Sequence, residues 1–226
     1  MLKRELVWTD IFWIAVNLVP LLGILLGGWD TKEMFIVYCL ESLILGFFNV
    51  IKMFIVTCIK GSELSEVSGR MVKVHGAFFM LFFICTYGML MFITTSIFTA
   101  ISNFNDALVY EPVTFFIMLP GLLSANGTLV LCIFIAGYGV HMLSDFIFSG
   151  KYKTTTLNTL LFQPFGRAIV QQVIVAAGCM FLKYGNGKLF IIVFVAIKVG
   201  FELYVSIEGY LNPAKVEWLE GEESDS

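Results

Sequence analysis

The chain has 226 residues, 58% of them hydrophobic and 14% charged, with a formal net charge of −3. A soluble domain of this length carries about a quarter charged residues, so this composition and a mean hydropathy of +0.88 exclude an ordinary water-soluble core and point to membrane spans. The negative balance argues against nucleic acid, which selects basic surfaces, and the length suits one compact domain.

Lys3 and Arg4 precede an apolar stretch from Ile11 to Gly28. That stretch is long for the apolar part of a signal peptide, and no A-x-A-like cleavage site follows. It reads as a retained first span over 11–28. Gly23 and Gly27 form G-x-x-x-G within it, a spacing that suits close helix packing and a homo-oligomer contact. The second span covers 34–58 and the third 71–100, long enough to tilt or to project into water. Residues 112–123, bracketed by Pro112, Pro120 and Gly121, are apolar but too short to cross. They are expected to form a helical element at the outer face. Further spans follow at 126–148, 168–183 and 188–210, the fifth being short. Backbone groups in lipid must be satisfied within each segment, so these are helices.

The expected fold is therefore all-α, a polytopic membrane bundle of six transmembrane helices in a single domain over 1–211. An acidic, disordered cytoplasmic tail over 212–226 follows, with Glu217, Glu220, Glu222, Glu223 and Asp225. Cys39, Cys58, Cys85, Cys132 and Cys179 fall in or beside apolar stretches with no C-x-x-C pair. They read as buried small apolar residues.

Charge orients the bundle. With six spans and a cytoplasmic N-terminus, Lys3, Arg4, Lys60, Arg70, Lys73, Lys151, Lys153, Arg167 and Lys215 lie inside, and only Lys32, Lys183 and Lys188 lie outside. A Lys/Arg excess marks the cytoplasmic side, so both termini are expected there, in a cell membrane.

Polar groups within apolar spans usually face a bundle interior and pair there. In the second span Glu41, Asn49 and Lys52 share one helix face. Glu41 and Lys52 are about three turns apart, too far to pair with each other. His141 and Asp145 in the fourth span, and Lys198 and Glu202 in the sixth, are i, i+4 neighbours, a spacing that suits an oriented pair or a proton relay. Asn17, Asn49, Lys52, His75, His141, Asp145, Arg167, Gln171, Gln172, Lys198 and Glu202 map to the inner half or the midplane, and their shared depth suggests a polar pocket open to the cytoplasm. Glu41, Asn49, Lys52, His141, Asp145, Arg167, Gln172, Lys198 and Glu202 are its candidate lining. Only two histidines occur, and neither an H-E-x-x-H nor a G-x-S-x-G motif is found. No cofactor is named by the sequence, and a metal would have to be drawn from His141, Asp145, Glu202 and Glu41.

Several segments resemble a known family. They are N-L-V-P-L at 17–21 with the Gly-Gly-Trp at 27–29, and Tyr38 to Lys52, Y-C-L-E-S-L-I-L-G-F-F-N-V-I-K. Phe82-Phe83 with Tyr87-Gly88, His141 to Tyr152, Gln163 to Arg167, and Lys198 with Glu202 complete the set. The second-span motif is similar to Y-W-x-E-N-x-x-x-G-x-x-N-x-x-K of an uncharacterised family of bacterial and archaeal multi-span membrane proteins, a domain of unknown function. The chain departs from the family pattern at Thr86, Thr94, Gln172 and Ser206, where members carry histidines. The resemblance implies architecture and supplies no activity. Three functions stay open: a pocket for a small solute, ion or lipid headgroup; a structural or regulatory membrane component; and a membrane-embedded hydrolase or transferase using His141, Asp145 and Glu202.

Overall fold

A computed structural model describes residues 8–67, 70–101, 123–162, 164–166, 168, 169, 191–193 and 195–200, with isolated positions 118, 121 and 189. Helix α1 runs Trp8–Leu26 and contains Pro20. Helix α2 runs Thr31–Lys60. Asp30 opens it: its carboxylate accepts the Lys32 N–H at 3.0 Å, meeting a donor that the first turn cannot pair internally. Gly61, at φ 70°, closes it and returns its own N–H to the Thr57 carbonyl at 2.8 Å. A positive φ at this point favours glycine, which has no Cβ to clash.

Strands β1, Ser62–Val67, and β2, Arg70–His75, form an antiparallel hairpin. This corrects the expected third span, whose first residues are strand. Within β2, V-K-V-H, residues 72–75, alternates in polarity and includes two β-branched valines, which suits a pleated strand better than a helix face. Helix α3 then runs Gly76–Ile101. The Gly76 N–H donates to the Gly61 carbonyl at 3.0 Å, so α3 starts where α2 ends and runs antiparallel to it. Helix α4 runs Ala125–His141 and continues as seven wider, π-helical residues, Met142–Phe148. A 3₁₀ turn at Lys151–Lys153 and helical residues 157–162 follow.

The helical expectation holds, apart from the hairpin. Three helices are long and apolar enough to cross a bilayer: Thr31–Lys60, Gly76–Ile97 and Ala125–Phe148. Ile14–Leu26 and Ile191–Gly200 are apolar but shorter. The described residues thus provide three such helices and do not support a count of six. Most of 112–123, most of the fifth span and the acidic tail lie outside the described residues.

Helix α2 is the axis of the packing. Its first half joins Val16 and Ile24 of α1, Val130, Phe134 and Tyr138 of α4, and Ile191 and Val195 in one core. Its second half joins Phe79, Phe83, Tyr87 and Met91 of α3 with Phe146, Leu157, Leu160 and Leu161 in another. Outward faces stay apolar, with Phe47, Phe54, Leu81, Leu129 and Val140 all exposed. Cys39 is buried, but Cys58, Cys85 and Cys132 are exposed. That corrects the expectation of uniformly buried thiols: small apolar residues serve outward helix faces as well as cores. The close approach that Gly23 and Gly27 allow is taken up within the chain, by the Trp29 ring.

Contacts between elements sort the bundle into two ends. At one, Lys60 Nζ donates to the Thr155 carbonyl at 2.8 Å and the Glu63 carboxylate accepts the Leu157 N–H at 2.5 Å. At the other, the Glu33 carboxylate accepts the Ser124 N–H at 2.6 Å. Helices α2 and α4 therefore run in the same direction. The connection from α3 to α4 begins and ends at the Glu33 end.

Candidate functional site

Tyr38 and Glu41, three residues apart, lie on one face of α2. Phe134 and Tyr138, four apart, face them from α4. Lys198 arrives from the helix Ile191–Gly200. Glu41 is 2% exposed, and its carboxylate would be very costly in an apolar core if left alone. It is fully engaged. The Tyr138 hydroxyl donates to Oε1 at 2.8 Å, and the Lys198 ammonium donates to Oε2. The ammonium also lies 4.5 Å from the Tyr38 ring centroid and 5.5 Å from that of Phe134. Ring faces carry negative charge density and attract cations. The Lys198 side chain is 16% exposed.

The surroundings fix these groups. The Tyr38 hydroxyl donates to the Asn17 carbonyl of α1 at 2.8 Å, which sets the ring against the ammonium. The Tyr38 and Phe134 rings pack tilted at 6.4 Å, and Phe48 packs on Tyr138 at the same separation. On the neighbouring face of α2, the Tyr87 hydroxyl donates to the Ser42 carbonyl at 2.8 Å. A Cβ on Gly46 would sit 2.6 Å from that tyrosine ring, so the glycine is what lets α3 approach.

The other candidate residues lie elsewhere. Asn49 donates to the Leu160 carbonyl at 2.8 Å and contacts Met53 Sδ. Lys52 lies 5.5 Å from the Phe146 ring centroid. Asp145 pairs with Lys151 at 2.7 Å, and His141 Nδ1 lies 4.0 Å from it, beyond hydrogen-bond reach. These last three side chains are between a third and about half exposed. The structure thus brings together Glu41 and Lys198, and separately His141 and Asp145, with Asn49 and Lys52 on the second half of α2. Arg167, Gln172 and Glu202 lie outside the described residues. Among the described residues, no group of three or more His, Cys, Asp or Glu could hold a metal ion.

Sequence reasoning missed Tyr38, Phe134, Tyr138 and Lys151. A signal for the first existed: Tyr38 precedes Glu41 by one helical turn within the same motif. Phe134 and Tyr138 carry none, since aromatic residues fill apolar spans generally.

One family model matches residues 2–216 of the chain. The chain belongs to the family of unknown function DUF6498. The match takes in Glu41, Tyr138 and Lys198 alike, so the whole centre of this DUF6498 member lies inside the family region. No curated protein and no solved structure matches the chain.

Proposed function

We propose that this DUF6498 member is a six-crossing membrane protein with both termini in the cytoplasm, and that it binds or passes a small solute or ion at the Glu41 centre. Two features support the membrane reading. Three helices have the length and apolarity to cross, and their outward faces carry large apolar side chains. Such surface is rare on soluble monomers. The orientation draws on the Lys/Arg bias. The segments it assigns to the inside, around Lys60 and Lys151–Lys153, meet at one end of the bundle.

One observation carries the solute reading: a buried carboxylate inside an apolar helix, with partners from two other helices. An intramembrane ionisable group is a functional-site hypothesis by default. A second reading, a purely structural tie between helices, is favoured by both carboxylate oxygens being occupied. Single cysteines in a cysteine-free background separate the two. Phe134→Cys and Lys198→Cys, at the centre itself, should react with a membrane-impermeant thiol reagent from the cytoplasmic side. No labelling from either side overturns the solute site and leaves the structural tie.

A further inference from the structure

The Glu41 centre has the composition of a cation-recognition site, and its occupant is a side chain of the same chain. One carboxylate and two aromatic faces surround the Lys198 ammonium. The Tyr138 hydroxyl holds the carboxylate by its other oxygen, so the anion is oriented independently of the cation. One negative charge balances one positive charge. Hard metal ions ask for six or more oxygen ligands, which this set does not offer. An ammonium group asks for an anion and apolar, electron-rich walls, which it does.

We propose that Glu41, Tyr138, Tyr38 and Phe134 form a binding site for small primary ammonium ions, which Lys198 fills as a tethered ligand. This rests on the reading that the Glu41 centre takes a solute, and it names the chemical class of that solute. A free primary amine enters by displacing Lys198. Displacement breaks the tie from the helix Ile191–Gly200 to Glu41, so occupancy by a free amine is coupled to loosening of that helix.

The test uses Lys198→Ala in the full chain, purified in detergent. This substitution removes three methylenes and the ammonium, the atoms of n-propylammonium. Thermal unfolding is followed in n-propylammonium chloride and, at matched concentration, in sodium chloride, tetramethylammonium chloride and n-propanol. The amine should raise the midpoint with the logarithm of its concentration above the dissociation constant, by about 4 °C at roughly ten times that constant. Sodium, the quaternary ion with no N–H for Glu41, and the uncharged alcohol should not. The rise should vanish in E41Q/K198A and be smaller in the wild type, where the tethered amine competes. An equal rise in propanol or in E41Q/K198A overturns the proposal, as does no rise at all. No rise with Phe134→Cys labelled from the cytoplasm removes the ammonium class and leaves a solute site; no rise with no labelling removes both. If Lys198→Ala survives extraction poorly, monodisperse yield with the amine present throughout replaces the midpoint, with the same expected dependence on Glu41.

Discussion

A carboxylate at the position of Glu41 gives up its hydration and regains only what its neighbours supply. Removing one member of a buried pair strands the other, at a cost of about 3–5 kcal/mol, whereas replacing both by apolar or neutral groups of similar volume is often close to neutral. Lys198→Met alone should therefore destabilise the chain by about 3 kcal/mol, and E41Q/K198M should recover most of that loss. Equilibrium unfolding in mixed micelles measures both. If the double variant is as unstable as the sum of the singles, the two side chains are not energetically coupled. Tyr138→Phe removes one donor to the same carboxylate and should cost about 1–2 kcal/mol. The ion pair between Asp145 and Lys151 is of another kind. Its side chains are about half exposed, so water competes and Asp145→Asn should change stability by less than about 0.5 kcal/mol. A larger loss in the same assay would mean that the pair is more enclosed than its exposure indicates.

Helix α2 meets α3 through a groove rather than through matched large side chains. Ser42 and Gly46, one turn apart, leave room for the Tyr87 ring, and the Ser42 carbonyl takes its hydroxyl proton. Small residues at such contacts let backbones approach where lipid offers no hydrophobic drive. Gly46→Leu should push Tyr87 out of the groove and cost about 2 kcal/mol or more, since overpacking a fitted contact costs about 1–3 kcal/mol. Tyr87→Phe keeps the fit and should cost about 1 kcal/mol or less. An equal loss in both would place the energy in the hydrogen bond and not in the fit. The long helices were legible in the sequence because continuous apolar runs of this length have few other solutions. The hairpin was not, because its apolar residues adjoin the next helix and a hydropathy window merges the two. Glu41, Asn49 and Lys198 stood out as polar groups in apolar runs, but which of them meet was hidden. Glu41 and Lys198 are separated by most of the chain, and periodicity within a helix carries no information about its partner's rotation.

For the whole molecule, the ends of the bundle constrain topology more tightly than the span count does. Helix α3 leaves the hairpin end and α4 returns to it, because Lys60 reaches Thr155 and Glu63 reaches Leu157. Helix α4 begins at the end where Glu33 meets Ser124, the end that α3 runs toward from the hairpin. On the membrane reading proposed above, an odd number of crossings between α3 and α4 would place Lys151 and Lys153 on the side opposite Lys60, against both the contact and the charge bias. The prediction follows without reference to the first or last spans. In a cysteine-free background, Ser65→Cys and Ser149→Cys should be labelled by an impermeant reagent from the same side, the cytoplasm, and Asn126→Cys from the other. Labelling of positions 65 and 149 from opposite sides would break the parity and, with it, the parallel course of α2 and α4 that lets Tyr138 and Glu41 meet.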